Sequence, residues 1–225
     1  MAIVYNRPPH AIYCFEESGI RTLKDLEGKT VADTAGSAVP LLFPAVARLA
    51  GMDKEKVKWV VADSASLPPM LVSRQVDCVG QFTVGEPLLS RRAAPKKLVG
   101  LTYADAGLDL YGSGIIVNEG VLKDQADLVR RFVAATVRGM EAAFADPAEA
   151  GRIMNKHHPQ VEPALGQAEI EIVRELAVTP VTRARGLGYI DPKKMEQTRD
   201  VVVEAFTLPR RIPVEDLYAP GFAGK

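Results

Sequence analysis

The sequence has little of what marks several large classes of protein. Its 225 residues include 28 basic and 28 acidic side chains, so the formal net charge is zero. No basic stripe marks a nucleic-acid-binding face. No apolar run approaches the ~20 residues that a membrane-spanning helix needs. We therefore expect neither a nucleic-acid partner nor a membrane span in this chain.

Cysteine and the usual catalytic motifs are also scarce. Cys14 and Cys78 are the only cysteines, and each lies in an apolar stretch (AIYCF and VDCVGQF), where a free thiol acts as a small hydrophobe. This setting favours free thiols over a disulfide. No pair of Cys or His residues has zinc-ligand spacing, and no Walker A, Gly-x-Ser-x-Gly or His-Glu-x-x-His motif occurs. The sequence predicts no metal, no cofactor and no catalytic centre.

In the first half of the chain, short apolar runs alternate with amphipathic segments, which is typical of an α/β protein. A helix is expected from about Val39 to Ala50, because apolar residues recur there at helical spacing and Gly51 ends it. Strands are expected at residues 11–15, 30–33, 57–62, 77–82, 97–102 and 112–117.

The pattern changes after Asn118. A long amphipathic helix is expected around residues 129–144, ended by Asp146-Pro147. Further helices are expected at residues 148–156, 163–177 and 192–206, and a proline-rich loop follows them. This half has almost no strands, so it is interpreted as helices that cover a sheet supplied elsewhere. A separate all-helical domain is the alternative.

The clearest candidate ligand site is the turn that joins a strand to a helix at residues 33–38 (DTAGSA). Gly36 permits close approach of the backbone, and the following helix, from Ala38, offers unpaired N–H groups to a polar or anionic ligand. The hydroxyls of Thr34 and Ser37 add hydrogen-bonding groups. The alternative is that Ser37 only caps the helix.

Two further turns follow predicted strands. Ser64 follows one strand, and Gln81 and Glu86 lie at the end of the next. In an open α/β sheet, ligands bind beyond the carboxyl ends of the strands, so these side chains are candidates for the same crevice. Capping alone explains Ser64 and Glu86 equally well. Tyr13 and Tyr111 flank the segment and suit stacking on a flat ligand, or burial in a core.

Several stretches resemble one family. They are residues 19–29 (GIRTLKDLEGK), 65–68 (ASLP), 75–77 (QVD), 111–118 (YGSGIIVN) and the helix at 127–139. In this order and spacing they resemble the solute-binding proteins of ABC importers, in the nitrate, sulfonate and taurine group that includes the SsuA/THI5-like (NMT1) branch. The resemblance extends over residues 3–206.

The resemblance implies a type II periplasmic-binding-protein fold with two lobes. Residues 1–28 would be a remnant of lobe 1 and the entry to the hinge, residues 29–118 would be lobe 2, and residues 119–225 would return to lobe 1. It also implies upstream residues with a signal peptide and the first units of lobe 1. Because residues 1–9 do not look like a signal peptide, lobe 1 is expected to be incomplete here.

The implied function is capture of a small heterocyclic (pyrimidine-like) or organic-anion solute by closure of the lobes, in the periplasm, and its delivery to an ABC permease. One alternative is a pyrimidine-biosynthesis enzyme on the same fold. Those enzymes carry a clustered cysteine motif, whereas the cysteines here are isolated. The other alternative is the effector-binding domain of a transcription regulator.

Overall fold

A computed structural model describes residues 1–223, in which seven strands and nine α-helices form a mixed α/β fold, as the sequence predicted. The strands are β1 (Ala2–Ile3), β2 (His10–Phe15), β3 (Thr30–Asp33), β4 (Lys58–Val61), β5 (Cys78–Phe82), β6 (Leu98–Thr102) and β7 (Gly114–Ile115). The helices are α1 (Ala38–Leu49), α2 (Leu67–Val72), α3 (Glu86–Ala93), α4 (Glu119–Asp124), α5 (Ala126–Ala145), α6 (Pro147–His157), α7 (Pro163–Ala177), α8 (Pro180–Arg185) and α9 (Pro192–Ala205).

The chain divides into two compact units. The sheet unit comprises Pro9–Leu108 and Val201–Pro209. The helical unit comprises Met1–Pro8, Asp109–Asp200 and the chain from Arg210 onward. The division expected from the sequence began a lobe at residue 29 and therefore left β2 outside it. The structure differs because β2 forms the ladder with both β5 and β6, a partnership between strands that are distant in sequence.

The sheet unit is built on a five-stranded sheet in the order β4-β3-β5-β2-β6. Strand β3 pairs in parallel with β4 and β5, whereas β2 is antiparallel to β5 and β6. The carboxyl ends of β3, β4, β5 and β6 therefore meet at one edge, beside the amino end of β2. We call this the carboxyl edge, because it is where ligands bind in open α/β sheets.

Helices cover both faces of this sheet. On one face α1 packs through Phe43, whose ring meets the ring of Trp59 edge-on at 5.2 Å. On the other face α2 and α3 bury Leu71 and Leu89 against Val79 and Tyr13. Alternate residues of each strand point to opposite faces, so the two layers draw on different residues of the same strands.

A disulfide joins Cys14 of β2 to Cys78 of β5. The expectation of free thiols was wrong. The register of β2 and β5 places these residues directly opposite one another, with a Cα–Cα distance of 4.4 Å. A separation of 64 residues in sequence gives no sign of this adjacency.

In the helical unit, the two-residue strands β1 and β7 form a small sheet of their own. The sequence predicted one longer strand at 112–117 within lobe 2. The structure shortens it to Gly114–Ile115 and pairs it with the N-terminal residues Ala2–Ile3. The short helix α8 was not expected. The long helices α5, α6, α7 and α9 begin and end within a few residues of the prediction.

Helices α6 and α7 pack through two glycines. A Cβ on Gly151 would overlap the carbonyl oxygen of Pro163, and a Cβ on Gly166 would lie 3.3 Å from the Cα of Gly151. Helix α5 buries Val129 and Val133 next to Ala2. Among the described residues, no helix is both long enough and apolar enough to cross a membrane.

Candidate functional site

The carboxyl edge of the sheet unit collects most of the side chains that the sequence singled out. Three loops leave this edge, at residues 34–37 after β3, at 62–66 after β4 and at 83–85 after β5. Strand β3 lies between the other two, and the N–H of Ala62 donates to the carbonyl of Asp33 at 3.0 Å. The first two loops are therefore joined where they begin.

Asp33 organises the first loop. Its carboxylate is 5% exposed and accepts hydrogen bonds from the Thr34 N–H at 2.6 Å and the Ser37 hydroxyl at 3.0 Å. It lies over Gly80 of β5, where any Cβ would overlap it. Burial raises the pKa of Asp33, although the hydrogen bonds from Thr34 and Ser37 act in the opposite direction. Gly36 has a φ of +72°, which favours glycine and lets the chain turn into α1.

Ser37 is the N-cap of α1. Its hydroxyl donates to Asp33 and accepts from the Val39 N–H at 3.3 Å, so its side chain is already engaged. Pro40 at the third helical position has no N–H to offer. The amides of Gly36 and Ala38 have no hydrogen-bond partner within residues 1–223, which leaves them for a ligand. The binding capacity of this turn therefore lies in its backbone.

Gln81 lies within β5 and Glu86 follows that strand, on the face of the sheet covered by α2 and α3. The Gln81 Oε1 accepts the N–H of Phe82 at 2.9 Å, and its amide packs so closely on Gly85 that a Cβ there would lie 2.7 Å away. Glu86 begins α3 and accepts the Ser90 hydroxyl. Because Ala32 pairs with Val79 and the Asp33 carboxylate lies over Gly80, Asp33 is on the opposite face from Gln81. The predicted residues thus flank the edge from both faces.

Of the other three predicted residues, only Ser64 lies at the carboxyl edge. Ser64 is exposed in the loop after β4. Tyr13 is 4% exposed in the core under α2 and α3, with its ring edge on Gly100, so it is a packing residue rather than a stacking surface. Burial, reinforced by Glu86, raises its pKa. Tyr111 belongs to the helical unit.

Sequence reasoning missed two polar groups beside the amino end of β2, on His10 and Thr83. His10 is 5% exposed, meets Phe82 edge-on at 5.1 Å and stacks on Tyr103 at 6.0 Å. Within residues 1–223 its Nδ1 and the hydroxyl of Thr83 are buried without a hydrogen-bond partner. Burial lowers the pKa of His10 to about 4, so the ring is neutral at pH 7. A histidine that opens an otherwise apolar strand was the available signal.

The groups at this edge suit an uncharged polar ligand. They combine donors, from the backbone amides and the Gln81 amide, with the carboxylate acceptors of Asp33 and Glu86. None of the three loops contains Lys or Arg. Among the described residues, no cluster of His, Cys, Asp and Glu has the arrangement of a metal site.

Sequence comparison assigns the family. The sequence model described as "NMT1/THI5 like" matches residues 1–150, which is two thirds of the chain. The chain belongs to the NMT1/THI5-like family. Its resemblance to that branch, first drawn from short stretches, is confirmed.

One curated relative is the riboflavin-binding protein RibY of Chloroflexus aurantiacus. It is 23% identical over 222 residues, which is 97% of this chain and 63% of RibY. The chain thus spans less than two thirds of the length of this relative.

Two solved structures share the fold. The alkanesulfonate-binding protein SsuA from Xanthomonas axonopodis pv. citri, bound to MOPS, superposes with a TM-score of 0.65 at 16% identity, over 96% of this chain and 72% of SsuA. The desulfurization enzyme DszB superposes with a TM-score of 0.56 at 15% identity, over 99% of this chain and 76% of DszB. At these identities the likeness establishes the periplasmic-binding-protein fold of this NMT1/THI5-like chain, and nothing finer.

Proposed function

We propose that this chain is the solute-binding component of an ABC importer and that its solute is a small, uncharged heterocycle. The observation that carries the proposal is the turn at residues 33–38, which presents the free amides of Gly36 and Ala38 at the carboxyl edge of the sheet. Family membership supports solute binding as the role of this edge.

The electrostatics of the edge favour a neutral solute over an organic anion. A sulfonate or carboxylate would approach the carboxylates of Asp33 and Glu86 with no cationic side chain in the three loops to offset them. A pyrimidine-like edge alternates carbonyl and N–H groups, which complements the mixed donors and acceptors here. Riboflavin, named for the relative RibY, contains such an edge and is therefore an informative ligand to test.

The buried disulfide supports an extracytoplasmic location. Structural disulfides persist in oxidising compartments such as the periplasm and are rare in the cytosol. Cys14 and Cys78 are both fully buried, so their bond is part of the sheet core. A periplasmic location with an ABC permease as partner is the setting that this proposal implies.

Binding is favoured over catalysis by the state of the reactive side chains. DszB shows that an enzyme can use this fold. Here both cysteines are bonded to each other, and His10 is buried against the edge of Phe82 and the stacked ring of Tyr103. The cysteines and His10 are therefore not available as a thiol nucleophile and its base.

Thermal unfolding with a panel of compounds tests the proposal. The panel is riboflavin, thymine, a 4-aminopyrimidine, taurine, nitrate and an aromatic carboxylate. At 100 times its dissociation constant a ligand adds about 2.7 kcal/mol, which is a midpoint shift of roughly 5–10 °C for a chain of this size. We expect a heterocycle to give this shift. A shift with taurine alone would contradict the neutral solute, and no shift with any compound would contradict the binding function.

A further inference from the structure

The helical unit contains an open polar pocket of about 390 Å³, apart from the carboxyl edge. This volume falls within the range of small-molecule sites. The cavity lies among four segments that are distant in sequence, at residues 6–7, 109–111, 179–181 and 191–197. We call it the Asn6 pocket, after the residue whose unpaired side-chain amide first suggests a ligand.

Asn6 is 3% exposed and lies in the wall of this pocket. Its backbone N–H donates to the carbonyl of Leu176 at 2.8 Å, which fixes the residue in place. Its side-chain nitrogen has no hydrogen-bond partner within residues 1–223. Buried donors in native proteins are rarely left unpaired, so an unpaired amide beside a cavity points to an acceptor that binds there.

Tyr111 supplies a second donor. It is 4% exposed, and its phenol oxygen accepts the N–H of Asp191 at 2.8 Å, which leaves its own proton to donate elsewhere. Its backbone N–H is bonded to the Thr198 hydroxyl at 3.0 Å, and the Lys194 ammonium lies 5.4 Å from the ring centre. Burial raises the pKa of Tyr111 to about 12, so the phenol keeps its proton at neutral pH.

The pocket carries excess positive charge. Its wall includes three cationic side chains, from Arg7, Lys193 and Lys194, and two carboxylates, from Asp109 and Asp191. Both carboxylates are engaged, since Asp109 pairs with Lys194 and Asp191 accepts the Lys193 N–H at 2.9 Å. Arg7 and Lys193 form no ion pair with any residue in 1–223.

We propose that the Asn6 pocket binds a small oxyanion, such as a phosphate, sulfonate or carboxylate group. The Asn6 amide and the Tyr111 hydroxyl donate from the wall, while Arg7 and Lys193 provide charge-assisted hydrogen bonds. The three loops of the carboxyl edge have no Lys or Arg, so the edge favours an uncharged ligand and the Asn6 pocket an anionic one. The pocket does not depend on solute binding at that edge.

Nuclear magnetic resonance of the ¹⁵N-labelled chain tests this site directly. Inorganic phosphate, methanesulfonate and acetate are titrated separately at constant ionic strength, and the side-chain NH₂ signal of Asn6 is assigned by its loss in Asn6→Leu. We expect at least one anion to move that signal saturably. Arg7→Gln and Lys193→Gln should each raise the dissociation constant about tenfold, the effect of losing one charge-assisted bond.

Lys156→Gln is the matched control. Lys156 is exposed near the end of α6, and this substitution removes the same charge as Lys193→Gln. It should leave the dissociation constant unchanged. Asn6→Leu, followed through the backbone N–H signals of Arg7 and Lys193, should abolish saturable binding without lowering the unfolding midpoint. Arg7 is exposed, so Arg7→Gln keeps the test valid if Asn6→Leu does not fold. Failure of all three anions to saturate, or equal weakening by Lys193→Gln and Lys156→Gln, would overturn the proposal.

Discussion

The two units bury their apolar residues to different degrees. In the sheet unit all six residues of β2 are buried, and a disulfide ties this strand to β5. In the helical unit the 20-residue helix α5 buries only Val129 and Val133, while Phe132 stays 59% exposed. The comparison teaches that strands between two helical layers find partners for both faces. A helix at the surface needs only one apolar stripe, and α5 has more apolar surface than the described residues cover.

Among the interactions compared, the disulfide should contribute most to the stability of a single unit. Closing a loop of this length constrains the unfolded chain by about 4 kcal/mol, so Cys14→Ala/Cys78→Ala should destabilise the sheet unit by that amount. Trp59, the only tryptophan, lies on β4 and reports this unit in urea unfolding followed by fluorescence. A reductant should shift the wild-type curve towards the variant and leave the variant unmoved. An unchanged midpoint in the variant would contradict this assignment.

Acid should weaken the sheet unit through His10. Its pKa of about 4 in the folded state lies below the usual 6.5, so the stability that it contributes is present above pH 6.5 and is lost as pH falls towards 4. The loss from this residue should approach about 3 kcal/mol. The raised pKa of Asp33 has the opposite sign and adds stability as pH falls.

Comparing the pH dependence of stability in wild type and in His10→Gln isolates the contribution of this histidine. Urea midpoints measured by Trp59 fluorescence at pH 7 and pH 4.5 should differ less in this variant than in wild type. His157→Gln, at an exposed position on α6, should keep the wild-type slope. Equal pH slopes in wild type and His10→Gln would show that the ring is not buried in its neutral form.

One glycine in each unit sharpens the comparison further. Gly80→Ala should cost about 2 kcal/mol, because the new methyl group would displace the Asp33 carboxylate. Gly139→Ala, on α5 with nothing within 4 Å of the new atom, should instead stabilise its helix by about 0.5–1 kcal/mol. Chemical denaturation of both variants checks the two signs. Equal effects would mean that Asp33 does not pack on Gly80.

The smallest expected change in the free energy of unfolding comes from a comparison of the buried and exposed sides of α5. Val133→Ala removes apolar surface from a side chain that is 0% exposed and should cost about 1.5 kcal/mol. Phe132→Ala, at the neighbouring exposed position, should change the free energy of unfolding by less than about 0.5 kcal/mol. Circular dichroism during urea unfolding measures both. A large cost for Phe132→Ala would show that a partner surface covers this side of the helix.

Local sequence patterns predicted the elements that depend on local chemistry. Strand β3 and helix α7 have the predicted limits, and α1 differs from its prediction by about a residue. The packing of β2 between β5 and β6 was not predictable from its own residues, because it depends on the register of strands far apart in sequence. The Cys14–Cys78 bond follows from that register and was missed for the same reason.

The candidate site was predictable in outline only. A glycine and a serine between a strand and a helix indicated the turn at Gly36 and Ser37. Sequence alone did not show that the Ser37 hydroxyl donates a hydrogen bond to Asp33. This bond forms because the Asp33 carboxylate occupies the space over Gly80, which has no side chain. The two faces occupied by Asp33 and Gln81 depend on strand register.

Calorimetric titration at the carboxyl edge tests the central claim most directly. Riboflavin and thymine are titrated into wild type, Gln81→Leu and Gln160→Leu, the last a change at an exposed loop position in the helical unit. We predict one-to-one binding of a heterocycle by wild type and no change in Gln160→Leu. Gln81→Leu should bind at least tenfold more weakly, because it loses the hydrogen bonds of a half-buried amide. Absence of binding by wild type, or equal affinity in Gln81→Leu, would contradict the assignment of this edge as the solute site.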